Sequence, residues 1–211
     1  LAIKEIMIRE RAQAITSSHC MSEPVQGCLT FSKLNDLGLV GACEGDMDST
    51  LTMLLFAHAF GVPGFISDPL FDTSRDAVIR AHCTSTTKLD GPSGGRAPFL
   101  IRTQCDTNRG VALEVQMRVG QEITCAKLVN LDTMLISAGK IVELTDFHDR
   151  GCRTQITTQV ANAKEMLRNW SSGVLDSDMM TLLHRVVFYG SRIESVKDLA
   201  PLMGLRIVEE A

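Results

Sequence analysis

The stretch Leu39-Val40-Gly41-Ala42-Cys43-Glu44-Gly45-Asp46-Met47-Asp48-Ser49-Thr50-Leu51-Thr52-Met53-Leu54-Leu55-Phe56-Ala57-His58-Ala59-Phe60-Gly61-Val62-Pro63 holds a strand, an acidic turn and a helix in direct succession. Leu39 to Cys43 is short and apolar and reads as the strand. Asp46 or Asp48 caps a helix from Ser49 to Phe60, because a short acidic side chain accepts from the free N–H groups of a first helical turn. Gly61 and Pro63 end that helix: glycine tolerates left-handed backbone, and proline lacks the N–H that a further turn needs.

The same rhythm extends in both directions from this stretch. Residues 1–11 are helical in pattern, and Ala12 to Thr16 is a short strand. Ser22 is placed as an N-cap, with Pro24 in the first turn of a helix that runs to Leu37 and stops at Gly38. Its apolar Val25, Cys28, Leu29 and Leu34 fall near helical spacing. Gly64 to Ser67 reads as the next strand. Strand–helix alternation implies a parallel sheet, so residues 1–76 are expected to form the C-terminal part of an α/β, Rossmann-like domain. The chain opens on Leu1 in mid-helix, which leads to the expectation of a C-terminal piece of a longer polypeptide.

Residues 77–160 change character. Short β-rich segments at 78–83, 97–103, 111–118, 122–129, 133–137, 140–147 and 153–160 are separated by turn signals, among them Gly120-Gln121 and Ala138-Gly139. That spacing predicts an antiparallel β-barrel-like domain. Residues 161–211 are a mixed tail expected to pack back on the active-site side: helix Ala161–Trp170, strand Arg185–Tyr189, helix Ser195–Met203 and strand Leu205–Val208. The fold class is therefore α/β plus β.

The hydrophobic fraction of 45% and charged fraction of 22% match a folded globular protein. A net charge of -4 without a basic stripe, and a single Trp and Tyr, argue against a nucleic-acid partner. No apolar run reaches membrane-spanning length. The seven cysteines include no C-x-x-C pair, so a zinc knuckle is not indicated, and each reads as a small buried hydrophobe. Free thiols point to a reducing, cytoplasmic setting.

Ligands gather outside the carboxyl ends of strands in an open parallel sheet. Glu44 and Asp46 follow one strand there, and Glu23 follows the preceding one. Anions crowded into one crevice repel unless a cation lies between them. The competing reading is that these acids only cap helices. Among the histidines, His58 reads as packing and His19 and His148 as solvated. His82 lies at a strand end before a polar loop, open to a structural or a substrate-contacting role, and His184 precedes the strand Arg185–Tyr189.

The string Ala42-Cys43-Glu44-Gly45-Asp46-Met47-Asp48-Ser49-Thr50-Leu51-Thr52-Met53-Leu54-Leu55 resembles the acidic segment of the L-fucose isomerase and L-arabinose isomerase-like family. Ala81-His82-Cys83-Thr84-Ser85 and His184-Arg185-Val186-Val187-Phe188-Tyr189-Gly190 resemble the same group in the same order. The resemblance implies the C-terminal portion of a homo-oligomeric, metal-dependent aldose–ketose isomerase acting on an open-chain sugar. It implies Glu23, Asp46 and His184 as ligands of Mn²⁺ or Mg²⁺, Glu23 and Asp46 as the acid–base pair, and His82 and Glu44 as substrate contacts. The alternative is a non-catalytic sugar-binding or oligomerisation domain. Leu183 before His184, and Ser191 after Gly190, depart from the family pattern.

Overall fold

The computed structural model describes residues 2–18, 26–145, 151–171 and 183–211. Helix α1 (Ala2–Arg9) leads to strand β1 (Ala14–Ser17), helix α2 (Cys28–Asp36), strand β2 (Val40–Cys43) and helix α3 (Met47–Phe60). Strands β1 and β2 pair in parallel, from Ala14 opposite Val40 to Ser17 opposite Cys43. Gly41 lets α2 lie close, since a Cβ there would meet the Phe31 Cα at 2.8 Å. Helix α3 is capped by Asp46, which accepts from the Ser49 N–H, and it ends at Gly61 with φ of 66°.

The next strand departs from expectation. Gly64 to Ser67 reads as one more parallel strand, but among the described residues β3 (Phe65–Asp72) pairs antiparallel with both of its neighbours. It turns back into β4 (Ala77–His82) through a bend in which the Asp72 carboxylate accepts from the Ser74 N–H and hydroxyl. A short apolar strand carries no local record of its direction; the hairpin and a distant partner set it. Strands β5 (Phe99–Arg102) and β6 (Ala112–Val115) form a separate antiparallel pair.

Strands β7 (Glu122–Val129), β8 (Thr133–Leu144) and β9 (Thr154–Gln159) follow, then helix α4 (Ala163–Ser171) and strand β10 (Arg185–Tyr189). Helix α5 (Ile193–Leu199), a 3₁₀ turn (Ala200–Met203) and strand β11 (Arg206–Glu209) complete the described chain. The order β8-β7-β10-β3-β4-β9 closes through β8–β9 pairing into an antiparallel barrel, with β11 parallel against the first part of β8. Closure removes the exposed edges of an open sheet. Its strands thus come from both sides of the boundaries at 76 and 160.

Ala138-Gly139, expected as a turn, lies inside the single strand β8. Gly139 sits where the partner changes from β11 to β9, and a Cβ there would meet the Gln159 carbonyl oxygen at 3.1 Å. Glycine within a strand commonly marks such a barrel corner.

The five residues of β10 are all buried, which explains the unbroken run Arg-Val-Val-Phe-Tyr. Val187 and Tyr189 join Phe65, Ile123, Ile141 and Ile156 from other barrel strands in one cluster. Val186 and Phe188 point the other way and pack against α3 through Met53 and Phe56. Phe56 stacks on Phe188 with centroids 3.8 Å apart. Gly64 makes room for this contact, because a Cβ there would meet Val186 Cγ1 at 2.4 Å and Phe188 Cε1 at 2.8 Å. The α3 N-terminus is thereby held against the barrel.

Candidate metal centre

Strand ends deliver the site. Glu44 and Asp46 lie between β2 and α3, and the backbone takes left-handed conformation at Glu44 (φ 64°) and Gly45 (φ 69°). Asp68 lies on β3 opposite Ala81, and His82 is the last residue of β4. Arg185 pairs with Ser67, so His184, one residue before β10, falls beside Asp68. His184 also has positive φ, 33°. Left-handed backbone at non-glycine residues costs of order 1–3 kcal/mol each and persists only where the surroundings impose it.

His184 is fully buried and stands among three acids. Its Nδ1 lies 2.9 Å from Asp46 Oδ2. Its Nε2 lies 3.1 Å from Glu44 Oε2 and 3.2 Å from Asp68 Oδ1. His82 Nε2 is 3.7 Å from Glu44 Oε1, and the two imidazole rings meet edge to face at 5.3 Å. Neither Nε2 makes a directed hydrogen bond, although both are buried. Donor atoms of Asp68, His82 and His184 all lie within 4.8 Å of one another, as do those of Cys43, Glu44 and His82.

Asp46 is differently engaged. Its Oδ1 accepts from the Ser49 N–H; its Oδ2 accepts from the Ser49 hydroxyl and from Lys127 Nζ at 2.8 Å, and contacts His184. Asp46 and Lys127 side chains are both fully buried. An imidazole whose Nδ1–H donates to a carboxylate presents its Nε2 lone pair outward, the usual arrangement for a histidine that ligates metal.

Charge follows from this packing. Burial alone would lower the His184 pKa, but the hydrogen bond to Asp46 and the close carboxylates of Asp68 and Glu44 raise it to about 10. Contact with His184 and His82 holds the Glu44 carboxyl far below its ordinary range. Burial opposes ionisation of Asp46, yet His184, Lys127 and the Ser49 N–H hold it ionised. Burial likewise opposes a charged His82, while Glu44 and Asp68 raise its pKa. Burial lowers the Lys127 pKa despite Asp46.

Ligand atoms around one cation with bonds of about 2.1 Å stand roughly 3–4 Å apart. The contacts from His184 Nε2 to Glu44 and Asp68 fall in that range, and the two unsatisfied Nε2 atoms are the donors such an ion would complete. The donor set therefore fits a divalent cation. A cavity of about 290 Å³ opens beside it, lined by Asp68, Pro69, Leu70, Ile79, Ala81, Gly151 and Gln155.

Of the residues singled out in the sequence, Glu44, Asp46, His82 and His184 come together; Glu23 lies outside the described residues, as do His19 and His148. His58 is exposed and bonds to Gln13 rather than packing. Asp68 and Lys127 are additions. Their signals were an acid within Phe-Ile-Ser-Asp-Pro and a lone lysine inside the apolar strand Glu122–Val129. Compared with known proteins, the chain matches no family model and no curated protein sequence. Among the described residues no helix is long and apolar enough to cross a membrane.

Proposed function

We propose that this chain carries the divalent-cation centre of an aldose–ketose isomerase, with His184 and His82 ligating through Nε2 and Glu44 and Asp68 through carboxylate oxygens. One observation carries the reading: two buried imidazole Nε2 atoms converge on two carboxylates without a directed hydrogen bond. This revises the expected ligand set. Asp46 becomes the residue that orients His184, because its oxygens are already occupied by Ser49, Lys127 and His184 Nδ1. Two imidazoles favour Mn²⁺ over Mg²⁺, which prefers an all-oxygen shell.

When bound, the cation would polarise a sugar carbonyl and stabilise the negative charge of an ene-diolate. The chain's own residues supply the rest. Asp68, with 45% of its side chain exposed, belongs to both the site and the cavity wall, which supports substrate approach from that side. Isomerisation removes the C2 proton and returns one to C1 while the O2 hydroxyl proton moves to O1. We assign the movement of these protons to Glu44 and Asp68, whose partial exposure supports the choice. Glu23 remains a third candidate from the sequence. Resemblance to sugar isomerases supports the choice of substrate class.

Mn²⁺ titration followed by paramagnetic resonance, with the wild type and the His184→Ala and Asp68→Asn variants, tests the centre. Equal affinity in all three would exclude it. Incubation of a panel of aldoses in D₂O tests the chemistry. A chain that binds Mn²⁺ but produces no ketose and no deuterium exchange at C2 would leave the centre standing and end the isomerase reading. A second reading, self-assembly without turnover, is favoured by strand β5, which exposes Leu100 and Ile101. A monomer in sedimentation would count against it.

A further inference from the structure

Four cysteines from separate parts of the chain meet one residue beyond His82. Cys28 opens α2, Cys83 follows β4, Cys105 lies in the β5–β6 connection and Cys152 precedes β9. Cys83 Sγ lies 3.8 Å from Cys105 Sγ, and Cys105 Sγ lies 3.5 Å from Cys152 Sγ. These three sulfurs all fall within 4.8 Å of one another. Cys28, 1% exposed, packs in the same cluster as Cys83, Cys105 and Cys152.

Cysteines serving only as small hydrophobes have no reason to converge. A disulfide would join one pair at about 2.05 Å. Cys105 instead has two sulfur neighbours, neither at bonding distance. In a tetrahedral zinc–thiolate centre with Zn–S bonds of about 2.3 Å, the sulfur–sulfur edges measure about 3.8 Å. The 3.8 Å and 3.5 Å spacings among Cys83, Cys105 and Cys152 lie close to those edges, and Cys28, packed in the same cluster, is the thiol at hand for the fourth position.

We propose that Cys28, Cys83, Cys105 and Cys152 form a closed, structural zinc site. Soft thiolates select zinc over the harder cation suited to the His184 centre. On binding, each thiol loses its proton to solvent, four sulfur–zinc bonds form and no electrons move. The Gln104 side-chain amide, 3.8 Å from Cys105 Sγ, is placed to donate to the resulting thiolate. Asp106, which accepts from the Cys105 thiol at 3.2 Å, is exposed and gives up that contact. Such an ion would tie α2 and the β5–β6 connection to strands β4 and β9, and so hold His82 in place from its neighbouring residue.

The test uses the full chain purified with zinc and reductant. We expect about one equivalent of zinc to survive dialysis, by elemental mass spectrometry. Exchange with Co²⁺ should produce the near-ultraviolet thiolate-to-cobalt charge-transfer band and tetrahedral d–d bands, which nitrogen and oxygen ligands alone do not produce. The Cys105→Ser/Cys152→Ser double variant should lose the band, and His184→Ala should keep it, separating this site from the His184 centre. Should the double variant fail to fold, the cobalt spectrum of the unaltered chain decides alone. A reduced chain whose cobalt form lacks the charge-transfer band overturns the proposal, as does a Cys105–Cys152 disulfide whose reduction restores no zinc binding.

Discussion

Replacing Asp46 with Ala removes the α3 cap, the partner of buried Lys127 and the acceptor that orients His184. Losing an N-cap costs about 1 kcal/mol. Breaking a buried ion pair from one side costs roughly 3–5 kcal/mol, because the other charge stays behind. Lys127 would retain the Leu183 carbonyl, 3.1 Å away. Neutralising a lysine at pH 7 costs about 4.6 kcal/mol, at 1.36 kcal/mol for each of about 3.4 units below its ordinary pKa, and this bounds the charge part. The terms overlap, so about 4 kcal/mol is expected in total. The assay is urea denaturation without metal, followed by fluorescence of the single tryptophan, Trp170. The pH dependence has a definite sign. An unpaired Lys127 has its folded pKa below its unfolded one, so the unfolded state binds more protons between the two. Stability of Asp46→Ala then rises with pH, and the deficit shrinks by up to about 1.4 kcal/mol per unit above pH 7. Adding Lys127→Met should recover most of the loss. A deficit under about 1 kcal/mol that stays flat between pH 7 and 9 would refute the buried-pair argument.

Cation affinity should depend on pH through His184. Its proton is held up to about 10, and a cation at Nε2 must displace it, so apparent Mn²⁺ affinity should climb up to about tenfold per unit from pH 7 to 9. A flat profile by paramagnetic resonance would count against ligation by His184. Gly64→Ala should destabilise by about 1–3 kcal/mol in urea, since its Cβ would press on Val186, Phe188 and Met53. An unchanged midpoint would mean that α3 can shift away at no cost. Asp36 accepts from the Thr86 and Thr87 hydroxyls and the Thr87 N–H. Asp36→Ala should cost about 3 kcal/mol, from buried donors left unpaired, and should weaken Mn²⁺ binding by loosening the segment after His82. Equal stability and affinity in that variant would remove Asp36 from any supporting role.

Local features were legible without coordinates. The acidic cap and glycine stop of α3 lie within one helix length, and Asp46 and Gly61 take those places. Strand-forming segments through the barrel region were readable from alternation and turn residues. The continuity of β8 was not, because Ala138-Gly139 has turn chemistry and only the change of partner strand makes it a corner.

Local sequence sufficed for the cap and stop of α3, for which segments extend, and for Glu44, Asp46, His82 and His184 as the residues to watch. Those properties depend on neighbours within a few positions. It did not place the start of α2, which begins at Cys28 after Gly27 and not at Ser22. Tertiary structure alone decided that β3 runs antiparallel, that the sheet closes, and that Asp46 lies 2.9 Å from a histidine 138 residues away. It likewise recruited Asp68 and Lys127 and gathered Cys83, Cys105 and Cys152. Register between distant strands sets such meetings, and register follows from packing on both faces of the sheet, which no local window contains.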